Sequence, residues 1–299
     1  MKIVIIGSVI FSKNLIDDVL KNKFEIKGII GKKNNKFNSD YFDIVKYFKE
    51  KGINCTYSKD INNKRTYNWI KKINPDLIIC LGWSRLLNKK ILSLPNIGAI
   101  GYHPADIPSN KGRHPIIWSL ALGLKKAAST FFLMNERPDS GKIISKKFLR
   151  INKKYYAKDV YKKLSQIASK QLIEILKKVH KHQKIYFLKN KAFDKDKKEN
   201  FWRKRNFEDG KIDWRMGSKE IFNLVKALSW PYPGAHFFYK NKLVKLYKVT
   251  IKEYEKVNIE PGKVVKKQKN KPVIKCGDNA ILLNNFYPKI NIKLNSYLR

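Results

Sequence analysis

Residues 2–8 read K-I-V-I-I-G-S and residues 13–20 read K-N-L-I-D-D-V-L. The first is a short β-branched run that Gly7-Ser8 breaks. The second carries Leu15, Ile16, Val19 and Leu20 at helical spacing. Together they are a strand, a turn and a helix, and the unit recurs downstream. Phe24 to Ile30 reads as strand, Tyr41 to Lys51 as helix, Ile53 to Tyr57 as strand, Lys64 to Ile73 as helix and Asp76 to Leu81 as strand. Strands alternating with helical segments predict a mostly parallel sheet with helices on both faces, a doubly wound, Rossmann-like α/β arrangement. Such sheets gather ligands beyond the carboxyl ends of their strands. Gly7 lacks the second and third glycines of a dinucleotide-binding fingerprint, so it reads as the corner between strand and helix.

Working outward, Ile97 to Tyr102 reads as a strand, His114 to Leu122 as a helix, and Ala127 to Met134 and Lys142 to Ile151 as strands. Asp159 reads as the N-cap of an amphipathic helix reaching about Lys181. Lys177 to Arg205 holds twelve Lys and Arg against three Asp and Glu, with few apolar anchors. We read it as solvated, which predicts a first domain over 1–185, a basic linker over 186–206 and a second domain over 207–299. In the last part Asp213 to Leu228 reads as a helix. Short strand-like runs follow at Phe237 to Tyr239, Leu243 to Thr250, Gly262 to Val265, Val273 to Lys275 and Ile281 to Asn284. They predict a small β-rich, OB-like barrel.

The 299 residues are 43% apolar and 12% aromatic, enough for packed cores and against global disorder. Sixty-five Lys and Arg against 24 Asp and Glu give a formal charge of +41. That balance attracts nucleic acid, anionic membrane or phosphorylated small molecules alike. A Lys-, Asn- and Ile-rich composition throughout explains it equally well through AT-rich coding. Cys55, Cys80 and Cys276 lack paired metal-site spacing, so no metal is expected. With no signal-peptide or membrane-spanning run, the expectation is a soluble protein of the cytoplasm.

The residue types that can carry chemistry collect between Asn96 and Ile143. His103 follows the apolar run 97–100 and precedes Pro104, which places an imidazole where a strand hands over to a loop. Asp139-Ser140-Gly141 follows the next strand, where glycine permits a tight turn and leaves a carboxylate facing outward. Taken singly, the first reads as a surface histidine and the second as an ordinary turn. Taken in order with Ile107-Pro108, Lys111-Gly112-Arg113 and Pro115, they form a set.

That set resembles the folate-dependent formyltransferases, which act on glycinamide ribonucleotide, methionyl-tRNA or nucleotide-linked amino sugars. The likeness continues through Phe201 to Arg205, Glu208 to Trp214, Pro231 to Ala235 and Pro261 to Val264, so it covers nearly the whole chain. It implies transfer of a formyl group from 10-formyltetrahydrofolate to a primary amine. By the resemblance, His103 would handle the proton and the oxyanion, and Asp139 would orient it and raise its pKa. The pterin would lie by Trp83, Arg85, Leu86, Leu87 and Pro138, and the acceptor by Asn110, Lys111, Arg113 and His114. The family also has an asparagine two residues before its histidine. Gly101 stands there in this chain, and a glycine has no side chain to donate to an oxyanion. Loss of one such donor typically costs ~3 kcal/mol of transition-state stabilisation. Asn110 or His114 is expected to replace it.

The segment Arg203 to Trp214 looks closest to the sugar-modifying members, which makes a nucleotide-linked amino sugar the expected acceptor. A methionyl-tRNA acceptor is the alternative, and with it a tRNA partner suited to a basic surface. A third reading is an inactive formyltransferase fold that binds nucleic acid, which Gly101 favours. The sugar-modifying members also imply a homodimer through the β-rich region.

Overall fold

The computed structural model describes residues 1–33, 39–188 and 199–299. These fall into two compact units. The first comprises Met1–Pro115, Ala127–Leu149 and Lys162–Trp202; the second comprises Ile116–Lys126, Arg150–Tyr161 and Arg203–Arg299. Of the expected linker 186–206, residues 189–198 lie outside those described.

The first unit is built on a seven-stranded sheet. Its strands are β1 (Ile3–Gly7), β2 (Ile26–Gly31), β3 (Cys55–Tyr57), β4 (Leu77–Leu81), β5 (Gly98–His103), β7 (Lys126–Leu133) and β8 (Ile143–Arg150). They lie in the order β3-β2-β1-β4-β5-β7-β8. The first five pair in parallel, and β7 runs antiparallel to β5. The doubly wound reading therefore holds, with an antiparallel margin. Ile3, Val4, Ile5 and Ile6 are all fully buried, as a strand covered on both faces requires. Each such side chain contributes on the order of 1.5–3 kcal/mol. One face packs Ile30, Ile70, Ile78 and Ile91 into a common cluster, with Trp69 and Trp83 closing its margin.

Local chemistry explains where the helices sit. In α3 (Lys64–Ile73) Asn63 caps the first turn, its Oδ1 accepting from the Thr66 amide at 2.8 Å, and Asn74 ends it in the left-handed conformation. Helix α2 (Ile44–Lys49) is capped by Asp43 and α4 (Lys89–Leu92) by Asn88. The long helix α6 (Ala157–His182) ends within a residue of the expected Lys181. Asp159 is not its N-cap. It stands inside the first turn, where its carboxylate accepts from the Tyr156 amide at 2.9 Å.

The second unit carries an antiparallel sheet in the order β10-β11-β14-β13-β12. Its strands are β10 (Ala235–Tyr239), β11 (Lys242–Lys252), β12 (Val264–Gln268), β13 (Lys271–Lys275) and β14 (Ala280–Tyr287). The chain's last residues join its two edges. The Phe238 amide of β10 donates to the Arg299 carbonyl, while the Val264 amide of β12 donates to the Ser296 carbonyl. Both edges are thereby partly covered, a standard defence of exposed strands. Helix α7 (Ser218–Leu228) begins five residues later than expected, where the Ser218 amide donates at 2.6 Å to Asp278, in the turn between β13 and β14.

Candidate active site

Strand β5 delivers His103 as its last residue, in register with Thr130 of β7. Just beyond, the Thr130 hydroxyl donates to the Ala105 carbonyl at 2.8 Å and fixes the chain's exit from the sheet. The imidazole is only 6% exposed. Its Nε2 lies 3.1 Å from the Asn110 carbonyl and its Nδ1 lies 3.5 Å from Asp139 Oδ1. A carbonyl can only accept, so Nε2 carries a proton. In the neutral ring Nδ1 is then bare and faces a carboxylate. Burial pushes the His103 pKa below its ordinary value, while Asp139 and the Asn110 carbonyl pull it up. Asp139 raises the pKa as expected, and desolvation outweighs it, so the net direction is downward.

The partners of this ring are held from several directions. Asp139 has φ +51, and its Oδ2 accepts from the Gly112 amide at 3.0 Å. Two glycines make that contact possible. Gly112, at φ +101, would place a Cβ 2.2 Å from the Trp202 carbonyl oxygen, and a Cβ at Gly141 would lie 1.5 Å from the Leu133 carbonyl oxygen. The loop between His103 and Gly112 is clamped by Lys146, which donates to Asp106 Oδ1 and to the Ile107 carbonyl, each at 2.6 Å. Its far end forms β6 (Lys111–Gly112), which pairs in parallel with β9 (Phe201–Trp202). Lys111-Gly112 and Phe201-Trp202 were marked by the resemblance but not as strands, and Lys146 was not marked at all.

Gly101 pairs with Phe132 across β5 and β7. A Cβ built there would lie 2.8 Å from the Phe132 ring and 2.9 Å from Met134 Cγ. The room an asparagine needs is occupied by apolar side chains. Among the other expected residues, Lys111 is held by Glu199 at 2.9 Å. Arg113 is exposed, while Asn110 and His114 are half-buried in the loop, His114 at φ +54.

The loop after β4 divides. Arg85 and Pro138 are exposed and Leu86 is 51% exposed, whereas Leu87 is 1% exposed and sits in the core cluster. The Leu87 side chain faces the core, which leaves its backbone as the part that could meet a ligand. Asn62 holds the loop from below, donating to the Leu86 carbonyl at 3.0 Å and accepting from the Asn88 amide at 2.8 Å. The Trp83 indole N–H is buried without a partner among the described residues. No group of three His, Cys, Asp or Glu able to hold a metal ion occurs among the described residues. No described helix is long and apolar enough to cross a membrane.

A buried His–Asp pair at a strand end, a clamped loop and an antiparallel C-terminal sheet now stand together with the sequence matches. Residues 1–176 match the family described as formyl transferase, and residues 205–298 match its C-terminal domain. The chain belongs to the formyl transferase family. It is 30% identical over 233 residues to methionyl-tRNA formyltransferase of Caldanaerobacter subterraneus subsp. tengcongensis, covering 78% of this chain and 73% of that one. It is also 30% identical over 242 residues to the bifunctional polymyxin resistance protein ArnA of Wigglesworthia glossinidia brevipalpis, covering 79% of this chain and 35% of ArnA. Among solved structures, the N-formyltransferase from Helicobacter canadensis in complex with folinic acid and dTDP-3-aminofucose superposes with a TM-score of 0.68 at 16% identity. That match covers 96% of this chain and 100% of the other. As a folate-dependent formyltransferase the protein needs a proton acceptor, an oxyanion donor and a shielded site.

Proposed function

We propose that this formyltransferase moves a formyl group from 10-formyltetrahydrofolate to the amine of a nucleotide-linked amino sugar, with His103 and Asp139 handling the proton. The observation that carries the reading is the buried pair itself, with Nδ1 and Oδ1 3.5 Å apart and Nε2 already engaged. An amine that attacks a formyl carbon gives up a proton. The gap between Nδ1 and Oδ1 has a lone pair on each side and holds one. A depressed His103 pKa keeps the imidazole neutral and ready to accept it near pH 7.

The oxyanion needs a donor, and Gly101 supplies none. Asn110 is the residue we place in that role, because its own carbonyl already sits 3.1 Å from the imidazole. Its carboxamide has no hydrogen-bond partner among the described residues. The pterin of the co-substrate would rest against Trp83, Leu86 and Pro138, with the Trp83 N–H as an available donor.

For the acceptor, the sugar reading is supported by the segment Arg203 to Trp214 and by the end-to-end likeness to the Helicobacter canadensis protein holding dTDP-3-aminofucose. A methionyl-tRNA acceptor is the second reading, supported by the 30% identity to the Caldanaerobacter enzyme. An acceptor screen separates them. With 10-formyltetrahydrofolate as donor, formylation of dTDP-linked amino sugars but not of methionyl-tRNA is the expected result. The reverse pattern replaces the sugar reading with the second.

A further inference from the structure

Side chains along a strand alternate between its two faces. In β8, Ser145 meets α6, where Gln171 Nε2 donates to its hydroxyl at 2.7 Å, so Lys146 projects on the opposite face. There its ammonium donates to Asp106 Oδ1 and to the Ile107 carbonyl, each at 2.6 Å. The lysine and aspartate side chains are each 19% exposed. A pair this close and this sheltered differs from a surface ion pair, because loss of either partner leaves the other charge poorly solvated.

Three contacts in series lead from that ammonium to the imidazole. Lys146 holds Asp106, the Asp106 carbonyl accepts from the Asn110 amide at 2.8 Å, and the Asn110 carbonyl meets His103 Nε2 at 3.1 Å. The loop has separate anchors at its two ends. Thr130 holds the Ala105 carbonyl at its start. At its far end the Ser109 carbonyl accepts from the Asn200 amide, the Lys111 amide donates to the Asn200 carbonyl, and the Gly112 amide donates to Asp139. Between those anchors, Lys146 is the side chain that ties the turn 106–110 to the sheet.

The carbonyl that this turn presents decides which ring nitrogen of His103 carries the proton. Asp139 Oδ1, 3.5 Å from Nδ1, is an acceptor that draws the proton to Nδ1. The Asn110 carbonyl draws it to Nε2. A neutral imidazole has one N–H, so the two acceptors compete, and the shorter contact prevails while the turn stays in place.

We infer that Lys146 is a positioning residue that selects the tautomer of His103. Through Asp106 and the turn 106–110 it holds the Asn110 carbonyl against Nε2, which leaves Nδ1 bare to receive the proton of the attacking amine. The inference rests on the formyl-transfer reading of His103 and Asp139 and deepens it, adding a residue that acts only through the ring.

The test is the tautomer itself, read above the ring's pKa from the ring nitrogen chemical shifts of the full chain carrying isotope-labelled histidine. His103→Ala assigns the signal. Wild type is expected to show Nε2–H. Lys146→Met is expected to move the ring toward Nδ1–H and to lower kcat on the order of 10²-fold, as a misplaced catalytic group does. Lys146→Arg, which can donate to both acceptors, is expected to restore both readouts. Lys147→Met, the same charge change at the exposed next residue of β8, is expected to alter neither. A lysine that only braces the fold would lower the urea midpoint of Lys146→Met with tautomer and kcat at their wild-type values, and that result overturns the inference. So does a change in one of these two readouts without the other, an Nδ1–H ring in the wild type, a Lys146→Arg no better than Lys146→Met, or an equal effect of Lys147→Met. If Lys146→Met does not fold, Lys146→Gln, which keeps a donor and loses the charge, is read by the same criteria. The tautomer needs no turnover, so a wild type that forms no product counts against the formyl-transfer reading and not against the hold of Lys146 on the ring.

Discussion

Two neighbouring places at the carboxyl edge of one sheet are built on opposite terms. At the end of β5, His103 and Asp139 are each held by the backbone, the imidazole at the Asn110 carbonyl and the carboxylate at the Gly112 amide, with a gap for one proton between them. Past β2, Lys32 has no carboxylate partner among the described residues. A pair held from both sides, with room for one proton between its members, keeps one geometry and suits proton transfer. A cation held by a hydroxyl and a ring face keeps its charge. We propose chemistry for the first.

The contrast breaks first at His103. Replacing it with alanine is expected to lower kcat by roughly 10³, in the range usual for a lost proton-transfer group, with co-substrate binding retained. Loss of both together would mean that the two places are one. Next in size is Asn110→Ala, expected to lower kcat about 10²-fold as for a lost oxyanion donor, with little change in KM. His114→Ala is expected to leave kcat within a few-fold of wild type, and a reversal of these two would transfer the role to His114.

Gly101 offers a sharper cut. Gly101→Asn drives a Cβ to within 2.8 Å of Phe132, and overpacking of this kind costs about 1–3 kcal/mol, to be seen as a lower midpoint in urea. Adding Phe132→Ala to Gly101→Asn is expected to relieve the clash and to restore part of the turnover lost in an Asn110→Ala background. If the triple variant stays as slow as Asn110→Ala alone, the position two residues before the histidine no longer serves this chemistry.

The smallest effect is one of pH. Burial lowers the folded-state pKa of His103, so kcat/KM is expected to fall on the acid side with a midpoint below the ordinary value of about 6.5. The unfolded chain binds that proton more readily. His103 therefore contributes stability above its unfolded pKa that is lost as pH falls through the interval down to its folded pKa. Asp139→Asn removes the attraction that holds the pKa up, so the acid limb should move to still lower pH. An acid limb above 6.5 would show that the charge of Asp139, and not desolvation, governs the ring.

What could be read in the sequence follows the range of the interactions. Helix α3 was legible at both ends because Asn63 and Asn74 are local signals acting within a turn. The strands of the parallel sheet were legible because burial on both faces leaves a continuous apolar run. His103 and Asp139 were legible through their order in a family resemblance, not through their geometry. The start of α7 was not, since Asp278, which its first amide meets, lies 60 residues away. The β6–β9 pair was not, because two-residue strands far apart carry no period. Lys146 was hidden among 65 basic residues, since its partner Asp106 lies 40 residues away. That the Leu87 side chain turns back into the core was not legible, because a strand-end loop carries no period.

The central claim is that the buried His103–Asp139 pair drives formyl transfer. It is tested most directly by single-turnover transfer from 10-formyltetrahydrofolate to a dTDP-linked amino sugar, with wild type and His103→Ala compared at saturating co-substrate. We expect transfer by the wild type and a loss of roughly 10³ in the variant, with co-substrate binding retained in both. Equal rates in the two proteins, or no transfer by the wild type to any phosphate-bearing amine offered, would contradict it.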